Sequence, residues 1–189
     1  MPFPVFPELQ TDRLLLRRLK ATDWPAICYL RTDPEVNKYV DRPAAKTKED
    51  ALAFIAKIDS FVSESKSYYW AITQKGNDTM LGTSMLGTSM LGTSMLGSIC
   101  LWNLSDDRKY AEVGYDLSPQ VHGKGIMSES LKAVLKFAFN ELHMETIEAY
   151  THHVNKASVI LLKHNGFTLV EGKKDAGNKN NIVFAIHRA

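Results

Sequence analysis

Apolar and polar positions along this chain alternate between a two-residue and a three-to-four-residue period, and the switches mark its elements. The run Arg13 to Leu19 (RLLLRRL) predicts a first strand. Thr22-Asp23-Trp24-Pro25 then predicts an N-cap with proline in the first turn of a helix over roughly Trp24 to Arg31. A capping box at Thr47-Lys48-Glu49-Asp50 precedes Ala51, Phe54, Ile55, Ile58, Phe61 and Val62, whose spacing puts the apolar bulk on one face of a longer helix. Tyr68 to Thr73, an apolar segment ending Ile99-Cys100-Leu101-Trp102, and Ala111 to Leu117 predict three meandering strands, with a turn at Lys75-Gly76-Asn77-Asp78. The second half alternates. Met127, Leu131, Val134, Leu135, Ala138 and Leu142 form a helical stripe, Thr146 to Thr151 a strand, Asn155 to Asn165 a helix closed by Gly166, and two strands follow. These elements predict a mixed α/β (α+β) architecture around one central sheet.

Between the turn at Lys75 and Ile99, Met80-Leu81-Gly82-Thr83-Ser84 recurs at Met85 and Met90, and a trimmed copy starts at Met95. Five residues are too few for a solenoid unit, and an odd period exchanges the two faces of a strand from copy to copy. Residues 80–94 therefore read as an insertion that extends or loops out a hairpin tip, as a neutral expansion rather than a Met-rich binding surface. The 189 residues predict a single domain spanning 1–189. With 44% hydrophobic and 23% charged residues, disordered, collagen-like and coiled-coil classes are excluded. A net charge of +2 without a basic run argues against a dedicated nucleic-acid binder, and no stretch reads as a signal peptide or a membrane span, so a cytoplasmic protein is expected. Cys28 and Cys100 lie far from any C-x-x-C spacing and read as buried apolar residues. His152 and His153 are neighbours on a predicted strand, expected to face opposite ways and so to make a poor metal pair. No metal is expected. Tyr68, Tyr69, Trp70 and Trp102 read as core and hairpin packing.

The stretch that carries chemistry runs from Tyr115 to Met127: a strand, a turn and the loop His122-Gly123-Lys124-Gly125, entering a helix. Glycines let the backbone approach a ligand, and the first helical N–H groups lie at the positive end of the dipole, so an anion is favoured there. The loop is neither a P-loop nor a dinucleotide fingerprint, since Ser128 stands where a third glycine would fall.

With Leu9 to Arg17, Ala111 to Tyr115, His122 to Glu129, and Asn155-Lys156-Ala157-Ser158 leading to Asn165-Gly166-Phe167, the chain resembles the GNAT superfamily of N-acetyltransferases, in the branch of the RimL ribosomal-protein N-terminal acetyltransferase. The resemblance implies the GNAT fold, a mainly antiparallel sheet flanked by helices and splayed between the strand ending at Leu117 and that of Thr146 to Thr151. It implies acetyl-CoA as acyl donor. The family's Q/R-x-x-G-x-G/A motif fits in two frames: Gln120, Gly123 and Gly125 satisfy it literally, while alignment on Pro119 and the G-K-G core puts His122 and Met127 at its ends. The second frame suits the loop-to-helix transition better. It implies that Leu117, His122, Gly123, Lys124, Gly125, Ile126, Met127 and Ser128 line the CoA site, the pyrophosphate being held by backbone N–H groups. Asn155 and Ser158, one turn apart, would approach the pantetheine arm, with Asn155 also a helix N-cap.

Acyl transfer to an amine needs a neutral nitrogen, support for an oxyanion and a proton for the departing thiolate. Many superfamily members protonate the thiolate with a tyrosine four residues before the G-F pair, where this chain has Leu162. By resemblance Ser158 inherits that role. RimL-type members carry a late acid that is missing here: Asn178-Lys179-Asn180-Asn181 occupies the region, Asp175 is the nearest carboxylate, and Glu112 is the alternative base. At pH 7 an α-amine of pKa about 7.8 costs about 1 kcal/mol to neutralise, and a lysine or polyamine amine near about 10.4 costs about 4.6. A weakly defined base thus favours the α-amine of a peptide or protein N-terminus over a polyamine or antibiotic amine. Residues Thr32 to Tyr39 fall where the family places acceptor-lining residues. Two rivals stay open: a silent acyl-CoA-binding protein, and a nucleotide-binding α/β domain using the same loop. The resemblance also leaves a homodimer open.

Overall fold

The computed structural model describes residues 6–76 and 95–188. Among these, eight strands form one sheet in the order β1-β2-β3-β4-β5-β6-β8-β7. They are β1 (Leu9–Gln10), β2 (Leu14–Arg18), β3 (Tyr68–Gln74), β4 (Met95–Trp102), β5 (Tyr110–Leu117), β6 (Thr146–His152), β7 (Thr168–Leu169) and β8 (Asn181–His187). Four α-helices accompany them: α1 (Trp24–Thr32), α2 (Lys48–Ser63), α3 (Ile126–Lys136) and α4 (Lys156–His164). All strand pairs are antiparallel except β5 with β6.

Strand alternation divides the core into two layers. Leu14, Leu16, Trp70, Ile72, Ile99, Leu101, Val113, Ile147 and Phe184 point to one face and pack against Ile126, Leu131, Val134 and Leu135 of α3 and Leu162 of α4. Ala71 and Met95 point to the other face, against Ala26, Ile27 and Leu30 of α1 and Ala51 and Ile55 of α2. The expected capping box starts α2: Thr47 Oγ1 accepts from Asp50 N–H, and Asp50 Oδ2 accepts from Thr47 N–H. At α1 the expected cap is not made. The Asp23 carboxylate instead takes two 2.8 Å bonds from the buried Arg17 guanidinium.

The apolar stripe read as one helix to Leu142 changes pitch. The α-helix ends at Lys136 and Phe137–Glu141 continue as a π-turn, closed by Leu142 N–H on Phe137 O. The β3–β4 hairpin is antiparallel as expected, with a register shift at Ile72/Thr73 where Leu96 bulges. Residues 80–94 lie outside the described residues, as do Asn77 and Asp78 of the turn read at Lys75 to Asp78.

Three further expectations are corrected. Cys28 and Cys100 both keep part of their surface exposed, although the Cys100 thiol itself is enclosed, and Cys28 Sγ lies 3.2 Å from Thr47 O. Trp102 does not pack in the core but stands 50% exposed at the end of β4. His152 and His153 do not diverge: β6 ends at His152, so His153 escapes strand alternation and stacks on it, with ring centroids 4.8 Å apart. Among the described residues no group of three or more His, Cys, Asp or Glu could hold a metal, and no helix is long and apolar enough to cross a membrane.

Candidate active site

The site starts from a break in the sheet. β5 and β6 pair only through Tyr110↔Thr146, Ala111↔Ile147 and Glu112↔Glu148. Beyond that point β5 stays on β4 as far as Gly97↔Leu117, and β6 stays on β8 as far as His152↔Asn181. The two parallel strands thus part at Glu112 and Glu148 and leave a gap that widens toward Leu117 and His152. Parallel strand ends beside a following helix are where backbone groups and a helix N-terminus meet a ligand.

At the wide end the glycine loop enters α3. Gly123 and Gly125 adopt φ of 72° and 74°, the left-handed region that a Cβ disfavours, and Gly125 is the N-cap of α3. The first helical bond there runs from Glu129 N–H to Gly125 O at 3.0 Å. The N–H groups of Ile126, Met127 and Ser128 precede it and belong to the first turn, where an anion is stabilised. The side chains of Ile126 and Met127 are buried, and Ser128 Oγ is engaged by the Asn165 amide at 3.1–3.2 Å, so these three positions offer backbone to the loop. His122 Nε2 lies 3.1 Å from Leu117 O and ties the loop back to the end of β5. Gln120 falls in a short 3-10 turn, Pro119–Val121, ahead of the loop.

The opening segment, singled out only as part of a resemblance, holds this loop. Glu129 in the first turn of α3 accepts from Thr11 Oγ1, from Arg13 N–H at 3.1 Å and from Arg13 Nε at 2.7 Å, while Arg13 Nη1 donates to Lys124 O at 3.0 Å. Burial alone would raise the Glu129 carboxyl, but the bonds from Thr11 and Arg13 outweigh it and hold its pKa below the usual value.

Across the gap, Asn155 is the N-cap of α4, its Oδ1 accepting from Ser158 N–H at 3.2 Å. That bond directs Ser158 toward β5, where its Oγ lies 2.7 Å from the Tyr115 hydroxyl. Ser158 is 8% exposed, and burial pushes the Tyr115 phenol up to about 12 against the lowering effect of the serine. Tyr115 was not assigned a role from the sequence, although its alternation with Ala111 and Val113 places it on the α4 face. Leu162 is fully buried in the core, and the phenol that stands beside Ser158 comes from β5.

The opposite face of the gap is polar. β5 runs in continuous register along β4, so Tyr110, Glu112, Gly114 and Asp116 share the α1/α2 face. Glu112 accepts from Asn103 Nδ2 at 2.6 Å and sits 3.3 Å from the Tyr110 hydroxyl, which also donates to Glu148 at 2.8 Å. Two carboxylates thus flank one phenol where the strands part. Segment 33–47, between α1 and α2, reaches over this face: Arg42 pairs with Asp116 at 2.8 Å and the Tyr39 ring lies 5.4 Å from that of His152. Asp175 is committed elsewhere, to Asn181 Nδ2 and Gly177 N–H at 2.7 Å each.

Residues 13–168 match the family model described as acetyltransferase (GNAT) domain. The chain is 29% identical over 160 residues to the uncharacterized N-acetyltransferase p20 of Bacillus licheniformis, covering 84% of this chain and 81% of that protein. It superposes with a TM-score of 0.76 on RimL, the ribosomal L7/L12 α-N-protein acetyltransferase, in complex with coenzyme A, at 18% identity over 96% of this chain and 98% of that one. An acetyltransferase of Salmonella typhimurium that modifies the N-terminal serine of the 50S subunit protein L7/L12 superposes at 0.74, with 17% identity over 97% and 100% of the two chains. At these identities the two structures establish the shared fold.

Proposed function

The chain belongs to the GNAT acetyltransferase family, which uses acetyl-CoA and an amine acceptor, and from that premise we propose that it acetylates the N-terminal α-amine of a protein or peptide by direct transfer. The observation that carries the reading is the gap between β5 and β6, with a hydroxyl pair on one face and a pair of carboxylates on the other. Acetyl-CoA enters from the α3/α4 face, its pyrophosphate against the loop Gly123–Met127 and its pantetheine arm beside Leu117 and Asn155. The acceptor enters from the α1/α2 face beneath segment 33–47.

Glu112 takes the amine proton. It is buried, yet oriented by Asn103 and adjacent to Tyr110, which suits a base whose carboxylate stays in place. The nitrogen attacks the acetyl carbonyl, the C–S bond breaks, Ser158 passes a proton to the thiolate with Tyr115 as hydrogen-bond partner, and the serine regains one from the second proton that the new amide nitrogen sheds. Neither cysteine takes part: burial pushes Cys100 up to about 12, far from a reactive thiolate. A carboxylate without a stronger activating group favours the α-amine, whose neutralisation costs about 1 kcal/mol, over a lysine-like amine at about 4.6. The neighbour from Salmonella typhimurium, which modifies an N-terminal serine, agrees with this choice.

The test is release of CoA thiol from acetyl-CoA with Ser- and Ala-initiated peptides, the same peptides blocked at the N-terminus, spermidine and an aminoglycoside. Release with free-amine peptides and none with blocked ones supports the reading. Turnover of spermidine alone moves the acceptor to small amines, and acetyl-CoA binding without release to any acceptor makes the chain a silent binder.

A further inference from the structure

One ammonium already occupies the polar face of the gap, and it belongs to the chain itself. Lys173 Nζ lies 2.7 and 2.6 Å from the two oxygens of Glu148. It also stands 5.9 Å from the Tyr110 ring centroid and 6.0 Å from that of Tyr150, within range for attraction to both π faces. Both phenols donate to Glu148 Oε2, at 2.8 and 3.1 Å, which fixes the carboxylate plane. The Glu148 side chain is only 8% exposed, whereas that of Lys173 is 39% exposed. A carboxylate pinned between two rings and closed to solvent on its other sides is a receptor for a primary ammonium.

Two features separate this arrangement from an ordinary surface ion pair. It sits at the last paired position of β5 and β6, next to Glu112, on the face that Tyr39 and Arg42 cover. Its cation comes from the connection between β7 and β8, in a turn with Gly172 at φ 77°, so it can leave without opening a strand. We propose that Glu148, Tyr110 and Tyr150 form the docking site for the acceptor's ammonium group, and that Lys173 is an internal occupant which the acceptor displaces.

This deepens the acetyltransferase reading and rests on it for the word acceptor. The site takes aliphatic primary ammonium groups, a peptide N-terminus included, and passes over arylamines, which are neutral near pH 7. The hydrogen bonds that it donates to Glu148 hold the Lys173 ammonium above its usual pKa, so the occupant stays charged throughout the working range. An occupied site lowers the apparent affinity for any competitor by the fraction of time it is vacant.

The experiment titrates n-butylammonium chloride, without acetyl-CoA, into the wild type, Lys173→Met, Lys173→Arg and the double variant Lys173→Met with Glu148→Gln, following the Tyr110 and Tyr150 ring signals by NMR. Lys173→Met is expected to bind about tenfold more tightly than the wild type, Lys173→Arg like the wild type, and the double variant about tenfold or more weaker than Lys173→Met. Equal affinity of Lys173→Met and wild type, both folded, or indifference to Glu148→Gln, overturns the proposal. If Lys173→Met does not fold, Lys173→Gln takes its place with the same two outcomes. Because no acyl donor is present, butylammonium binding together with inertness toward every amine in the thiol-release assay would refute the acetyltransferase reading and leave the ammonium site standing. Turnover without binding would do the reverse.

Discussion

Replacing Ser158 by alanine removes one oxygen and little else, because the Asn155 cap is made to the backbone N–H of residue 158 and survives. What remains is the Tyr115 hydroxyl, deprived of its 2.7 Å partner in a buried setting. Leaving such a group unpaired costs about 1–3 kcal/mol, or about 2–12 °C in Tm for a chain of this size. Adding Tyr115→Phe removes the orphan, so the double variant should regain most of that loss. Catalysis follows a different pattern. If Ser158 supplies the thiolate's proton, its loss lowers kcat by about 100-fold, or about 2.7 kcal/mol, with the KM for acetyl-CoA little changed. Tyr115→Phe alone lowers kcat by about tenfold or less, and the double variant falls no further than Ser158→Ala, because the two hydroxyls act in series. With its phenol raised to about 12, Tyr115 stays protonated through the assay range and adds no basic limb to the pH profile. The assays are thermal unfolding and steady-state thiol release on the four proteins. A kcat for Ser158→Ala within about threefold of wild type would refute the assignment of the acid, and a double variant no more stable than Ser158→Ala would refute the orphan argument.

Three further substitutions have expected outcomes. Glu112→Gln keeps the shape of the Asn103 contact but removes the base, and should lower kcat/KM about 100-fold while leaving acetyl-CoA affinity unchanged in a binding titration. Glu129→Gln should raise the KM for acetyl-CoA by about tenfold, because the clamp from Thr11 and Arg13 no longer holds the first turn of α3. The same substitution should also flatten the acid limb of stability. The folded-state pKa of Glu129 lies below its usual value, so its contribution is complete above about 4.5 and is lost as pH falls through the folded value; urea melts between pH 3 and 6 read the difference. Gly97→Ala would put a Cβ 2.3 Å from Asp116 O and 2.9 Å from Leu117 Cα, backbone atoms that cannot turn aside. It should cost about 3 kcal/mol or more, about 6–12 °C in Tm, and a variant that melts with the wild type would show that the register of β4 on β5 is wrong.

Much of this was legible before any coordinates. Thr47 and Asp50 announced α2 because a capping box is satisfied locally, and Gly123 and Gly125 announced the loop because their φ values admit few other residues. The limits lie where distance in sequence matters. Glu129 binds Thr11 and Arg13 across more than 110 positions, and no local period encodes such a pairing. The divergence of His152 and His153 was a correct rule applied one residue too far, since alternation ends with the strand. The side-chain cap at Asp23 is not made because its carboxylate is engaged by two bonds from the buried Arg17 guanidinium and one from Lys20 N–H. Tyr115 could have been found: it shares a face with Val113, and a tyrosine aimed inward from the strand opposite an N-x-x-S helix start has few partners other than that serine.

In the proposed mechanism β5 serves both sides of the reaction by simple alternation. Its odd residues, Ala111, Val113, Tyr115 and Leu117, line the face of α3 and α4, where the glycine loop and Ser158 gather. Its even residues, Tyr110, Glu112 and Asp116, line the face of α1 and α2, where the carboxylates and the Lys173 ammonium gather. A thioester and an amine approaching from opposite faces can meet only where no strand lies between them, and β5 and β6 stop pairing immediately after Glu112 and Glu148. Under the proposed mechanism the amine loses its proton on the acidic face and the thiolate gains one on the hydroxyl face, so that the base need not also serve as the acid. In that proposal the missing late carboxylate is replaced by Glu112, a strand residue whose register, not its neighbours in sequence, sets it beside the gap.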